Sequence, residues 1–192
     1  GPVTFNVKHG VYNEQITFTQ LPGMGSNNPI RFKNVTKDST KVVVTLPSTT
    51  ATGNNNAAIQ LRGADYVTFE GFTFQRTGTN PYGHVLHILN GSNNNKFQSC
   101  QFIGIRPLTS NVNAINIWSD QSEDNNNQFV GNLIKFGTYN MWYFGDVTAK
   151  ESGTIIQGNT FDSAYSYALN IVDNNQVKLI GNTFKNVINP IG

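Results

Sequence analysis

Short alternations of apolar and polar residues recur along this chain of 192 residues, and no stretch keeps the 3.6-residue spacing of an amphipathic helix. The clearest landmark is the segment GNTF, at 158–161 and again at 181–184. Aligning on it brings out five copies of one pattern: Gly71 to Phe74, Ser99 to Phe102, Gly131 to Ile134, Gly158 to Phe161 and Gly181 to Phe184, separated by 28, 32, 27 and 23 residues. Two residues before each copy stands a large apolar side chain: Phe69, Phe97, Phe129, Ile156 and Leu179. A second alternating run precedes each copy by thirteen to seventeen residues: AIQL (58–61), VLHI (85–88), AINI (114–117), MWYF (141–144) and ALNI (168–171). Two unrelated landmarks in constant order five times over define a structural repeat.

Each period then holds three short strands, none with the helical intervals that a βαβ unit requires. Three strands per turn, stacked on the turns before and after, make an all-β parallel β-helix whose rungs bury only against their neighbours. Stacking in register places Phe74, Phe102, Ile134, Phe161 and Phe184 in one interior column and Phe69, Phe97 and Phe129 in another. The Gly-Asn pair of each copy falls at a bend that needs a left-handed residue, and Asn is the best non-glycine candidate for it. Asn132, Asn159 and Asn182 are also spaced to hydrogen-bond amide to amide along the stack.

Composition fits this reading. The chain has 28 Asn and 18 Gly but only 12% charged residues, so neutral groups supply its surface polarity. A net charge of +2 without any Lys/Arg cluster argues against a nucleic-acid partner. No apolar run approaches the roughly 18 residues of a membrane span. Cys100 has no internal disulfide partner and reads as a half-buried free thiol. A start at Gly1, without Met, suits a processed or excised piece of a longer parent chain carrying other domains, and low charge with abundant Asn suits an extracellular setting.

The N-terminal third is laid out differently: VTFNVKHGVYNEQITF (3–18), NPIRF (28–32), KVVVTL (41–46), AAIQL (57–61) and DYVTFEGFTF (65–74). This succession resembles the opening of pectin methylesterases. The Gly-Asn-x-Phe rungs look like the repeats of pectate lyases, polygalacturonases and large secreted β-helix proteins of Bacteroidetes-type bacteria. The resemblance implies a right-handed single-stranded parallel β-helix forming one domain, with capping strands and turns over 1–50 and about five regular rungs over 51–192. It also implies secretion or display at a bacterial cell surface. The same solenoid hosts lyases, hydrolases, esterases, adhesins and binding modules. Where the esterase family places a nucleophilic Asp ahead of a Phe-Ile-Phe-Gly stretch, this chain has Met141 in MWYFG, and the later Arg-Pro-Trp motif is missing. The Asn-Thr-Asp, Asp-Asp and Arg-Ile-Lys motifs of polygalacturonases are absent too, so no catalytic residue is assigned.

Alternation sets the faces of the AIQL-type strands. With Ile59 and Leu61, Leu86 and Ile88, Ile115 and Ile117, Trp142 and Phe144, and Leu169 and Ile171 inward, the outward column reads Gln60, His87, Asn116, Tyr143 and Asn170. The next outward column reads Arg62, Leu89, Trp118, Gly145 and Val172, and the loop leading in adds Tyr82, His84, Tyr139, Tyr165 and Tyr167. Flat aromatic faces interleaved with amides and an imidazole suit sugar rings and their hydroxyls. Arg62 is the clear cation there, so a neutral chain such as xylan or a β-glucan is favoured over a polyuronate. The expectation is a monomeric, noncatalytic carbohydrate-binding module for an extended polysaccharide. A pectin-degrading type of lyase or hydrolase and a structural or adhesin segment are the alternatives. No motif calls for a cofactor. Asp120, Asp146 and Asp173 recur at similar rung positions and read either as Asx-turn residues or as oxygen ligands of a Ca²⁺ ion.

Overall fold

The computed structural model describes residues 1–50, 56–106, 110–120 and 122–192. It is a right-handed parallel β-helix built from three seven-stranded parallel sheets. Each coil passes once through each sheet. Sheet one begins with Val3–Val7 and ends with Lys178–Ile180, and sheet two runs from Gly10–Asn13 to Thr183–Lys185. Sheet three carries the AIQL-type strands, from Ile16–Thr19 to Asn189–Ile191.

The interior columns exist and begin earlier than the five sequence repeats show. Phe5, Phe32, Phe69, Phe97 and Phe129 stack in register through sheet one, with ring centroids 5.1, 5.1, 5.6 and 5.7 Å apart and planes within 16° of parallel. The column continues through Ile156 to Leu179. In sheet two, Tyr12, Val44, Phe74, Phe102, Ile134, Phe161 and Phe184 occupy one register line. The first fifty residues, expected as capping strands and turns, contribute five strands to these same sheets. Irregular loop lengths in the first two coils hid their period, although alternation within VTFNV and IRFKN already matched the interior column. The division expected between residues 50 and 51 abuts 51–55, which lie outside the described residues.

The bend between sheets one and two is solved by two residues with separate tasks. The left-handed backbone expected of Asn is taken by the residue before it: Gly71, Gly131, Gly158 and Gly181 have φ of 76, 63, 64 and 58°, and Ser99 has 52°. Freed from that duty, each Asn spends its amide on the stack. Asn132 accepts from the Cys100 N–H at 2.8 Å, and its own N–H donates to Asn159 Oδ1 at 2.8 Å. Asn159 N–H donates in turn to Asn182 Oδ1 at 2.9 Å. The Nδ2 groups of all three donate to the carbonyls of Phe97, Phe129 and Ile156, one coil back. Cys100 takes the Asn slot in its coil and is buried outright, its thiol pushed up to about 12 by burial. A second amide ladder, unseen in the sequence, lies at the corner entering sheet one. There Asn95 Oδ1 accepts from Val67 N–H, and Asn127 Oδ1 accepts from Asn95 N–H, each at 2.9 Å.

Ser99 is exposed and is the one non-glycine among those five left-handed bends. Its Cβ strain outweighs the extra chain entropy a glycine loses on folding. Ser99→Gly is therefore expected to stabilise by about 0.5 kcal/mol, raising the melting temperature by roughly 1–2 °C. An unchanged or lower melting point by calorimetry counts against strain at this bend.

Candidate functional site

The pairing register of sheet three decides which side chains reach its outer face. Gln60 pairs with His87, His87 with Trp118, Trp118 with Trp142, and Trp142 with Asn170. Two coils therefore depart from the sequence alignment. In the MWYF coil, Met141 rather than Trp142 pairs with Leu169, a one-residue slip, and with a side-chain period of two such a slip exchanges the faces. Tyr143, expected outward, is fully buried, and Trp142 and Phe144, expected inward, are half-exposed. In the AINI coil the strand starts at Ile117, because Val112–Ala114 forms a 3₁₀ turn capped by Asn111 Oδ1. That two-residue slip moves Trp118 into the first column and withdraws Asn116 to the corner. There Asn116 is buried, and its Nδ2 donates to the carbonyls of Lys135 and Phe136 at 2.7 and 3.1 Å. A Cβ on Gly104 would lie 2.0 Å from Asn116 Oδ1, so this corner closes only over glycine.

The resulting face gathers two aromatic groups. Trp118 lies flat on His87, centroids 4.3 Å apart and planes 1° from parallel, with the His84 ring 4.6 Å away on a tilt. Both imidazoles are buried. His84 Nδ1 is 3.1 Å from the Ile115 carbonyl, and burial pushes its pKa down to about 3, so it is neutral at physiological pH. In the next coils Tyr139 stacks on Tyr167 at 6.0 Å and tilts against Trp142 at 4.8 Å, and Trp142 lies 5.8 Å from Phe144. Between the groups runs a groove of about 220 Å³, lined by Val112, Asn113, Ile115, Trp118, Asp120, Trp142 and Phe144. Its floor is the sheet and its wall is the segment between sheets two and three of the fourth coil. Val112, Asn113, Ile115 and Phe144 were missed by sequence reasoning. Only the 3₁₀ turn, signalled weakly by the Asn111 cap, identifies the wall.

The remaining expected residues fall into place around this groove or away from it. Gln60 is buried and Asn170 half-exposed in the same column, and Leu89, Arg62 and Val172 follow two residues on. Arg62 Nη2 reaches Gln60 Oε1 at 3.5 Å. Gly145, expected in that second outward column, is buried, and a Cβ there would lie 2.1 Å from the Asp173 carbonyl oxygen. Tyr82 forms an isolated antiparallel bridge with Thr49, and Tyr165 is half-exposed; neither joins the aromatic groups. Asp120 Oδ2 lies 3.7 Å from His87 Nε2. Asp146 accepts from the N–H and hydroxyl of Thr148, an Asx turn that lowers its pKa. Asp173 sits at a left-handed bend with φ of 50°. Among the described residues no three His, Cys, Asp or Glu side chains gather as a metal site.

A second cluster, wholly interior, was not foreseen. Ser119 Oγ bonds Glu151 Oε1 on one side and Asp124 Oδ2, at 3.0 Å, on the other. Asp124 also accepts from the Ser92 N–H at 2.7 Å and the Ser122 hydroxyl at 2.8 Å. The Tyr143 hydroxyl donates to the Asp124 carbonyl at 2.9 Å and accepts from Asn127 Nδ2 at 2.8 Å. Burial pushes Glu151 up to about 9 and Asp124 up to about 6. Ser119, Asp124, Tyr143 and Glu151 are each 0% exposed, so they touch one another rather than a substrate.

No protein-family model matches the chain, and no curated protein matches its sequence. Among solved structures it is similar to the pectin methylesterase PemA from Erwinia chrysanthemi, with a TM-score of 0.58 and 12% sequence identity. The match covers 85% of this chain and 47% of that one, so this chain spans less than half the length of that structure. The likeness is one of fold: both are parallel β-helices of the pectate lyase and pectin methylesterase type.

Proposed function

We propose that this chain is a noncatalytic carbohydrate-binding module whose site is the outer face of sheet three, and that it works outside the cell or at the surface of a bacterium. The observation carrying this reading is the in-register pair Trp118 and Trp142, half-exposed on adjacent rungs and lining one groove. Rungs about 4.8 Å apart rule this face along the helix axis, which suits an extended polysaccharide. Tyr139, Tyr167, Asn170 and Arg62 extend the surface to either side of the groove. Indole faces contact the C–H side of a pyranose, while Asn113 and Asn170 bond hydroxyls. A carboxylate in the groove disfavours polyuronate, so the chain favoured is one without acid groups, such as xylan or a β-glucan.

Affinity electrophoresis through gels containing soluble polysaccharides tests this directly. At least one neutral glycan is expected to retard the protein, and Trp118→Ala or Trp142→Ala to weaken the apparent affinity about tenfold. Failure of every glycan to retard the wild type sinks the binding-module reading. Release of reducing ends or of unsaturated uronates favours the lyase or hydrolase alternative instead.

A further inference from the structure

The groove is charged on one side. Of its seven lining residues, five are apolar or aromatic, one is an amide, and one, Asp120, is a carboxylate. Among the described residues no lysine or arginine lines it. Asp120 is part-exposed, its side chain 29% accessible, while the His87 imidazole, with Nε2 3.7 Å from Asp120 Oδ2, is fully buried under Trp118. The carboxylate, and not the imidazole, lines the groove. Three aromatic rings, Trp118, Trp142 and Phe144, share that space, and their electron-rich faces attract cations as the carboxylate does. An apolar slot of about one sugar ring in volume, with an aromatic floor and a carboxylate among its lining residues, is built for a ring that carries a positive charge.

We propose that the groove selects a hexosamine unit, a sugar with a free amino group, whose ammonium pairs with Asp120 while its ring lies against Trp118. This rests on the reading that the face binds polysaccharide, and it ranks a chain of amino sugars ahead of the neutral chains for this groove. An isosteric neutral sugar keeps the stacking and loses the ion pair. An N-acetylated sugar loses the charge and adds bulk against Val112 and Ile115.

The test is calorimetric titration with three oligosaccharides of equal length: β-1,4-linked glucosamine, its N-acetylated form, and β-1,4-linked glucose. The glucosamine oligomer is expected to bind about tenfold tighter than the other two, with the preference shrinking between low and high salt as a part-exposed ion pair is screened. In Asp120→Asn the ratio of glucosamine to glucose affinity is expected to fall to about one, with an unchanged circular dichroism spectrum showing that the variant folds. Equal binding of all three oligomers overturns the inference and leaves glycan binding standing. A glucosamine preference that persists in Asp120→Asn, or that ignores salt, overturns it as well. Absence of binding by any of the three, together with no retardation in polysaccharide gels, overturns both readings.

Discussion

Glu151→Gln is expected to raise the melting temperature at pH 8 by roughly 4–8 °C, corresponding to about 2 kcal/mol. The reason lies in a proton count. Asp124 receives hydrogen bonds from the Ser92 N–H and from the hydroxyls of Ser122 and Ser119, so it acts as the charged acceptor. A serine hydroxyl has one proton, and Ser119 gives it to Asp124. The contact between Ser119 and Glu151 then needs its proton from Glu151. A neutral Glu151 satisfies the chain, in keeping with burial pushing it up to about 9. The unfolded chain releases that proton near the ordinary glutamate value of about 4.3. The folded state therefore binds the extra proton over the interval from about 4.5 to 9, and stability falls as pH rises through it. Asp124, raised to about 6, acts in the same direction below that value. Glutamine donates from its amide and has nothing to ionise, so the variant's stability is expected to be flatter between pH 5 and 9. Melting curves across that range decide the matter. A wild type whose melting point rises toward pH 9, or a variant less stable than wild type at pH 8, would falsify the neutral assignment.

The other large effect belongs to the amide ladder. Asn132→Ala is expected to cost about 3 kcal/mol, lowering the melting point by roughly 6–12 °C. Asn132 is 2% exposed and serves three partners: it accepts from Cys100 N–H, and its Nδ2 donates to Phe97 O and to Asn159 Oδ1. Alanine leaves the Cys100 donor and the Phe97 acceptor buried and unmatched, each at about 1–3 kcal/mol. Asn182→Ala, in the half-buried last rung, has water at hand for its orphaned partners and is expected to cost less than about 1 kcal/mol. Denaturant titrations of the two variants test the ordering. Equal losses at both positions contradict the account, because the cost is attributed to burial.

Much of the scaffold was legible because a stacked coil writes its core into the sequence as recurrence. Phe74, Phe102, Ile134, Phe161 and Phe184 fall in one column in the structure as their spacing requires. The face of sheet three was less legible because strand phase at a corner is set by tertiary packing. MWYF offers apolar residues at all four positions, so alternation alone cannot tell Trp142 from Tyr143. What settles it is that the Tyr143 hydroxyl finds Asn127 and Asp124 inside the coil, whereas neither the Trp142 nor the Phe144 side chain has such an interior bond. The AINI strand was misread because Asn116 resembles an outward residue between two isoleucines, and its true role depends on glycines at 104 and 137, far off in sequence. The Ser119, Asp124 and Glu151 cluster had no signal at all: its members come from three segments whose meeting only the coil geometry dictates.

The segments joining sheets two and three are 136–140, 163–166 and 186–188 in the last three coils but 104–116 in the fourth. That longer segment supplies Val112, Asn113 and Ile115, none of which belongs to an amide ladder or a Phe column. Recognition and folding thus meet within one segment, with the groove wall at Val112 and Asn113 and the buried corner at Gly104, Ile105 and Asn116. Changes at Val112 and Asn113 can therefore alter what the groove meets, while Gly104, Ile105 and Asn116 of the same segment stay bound to the architecture.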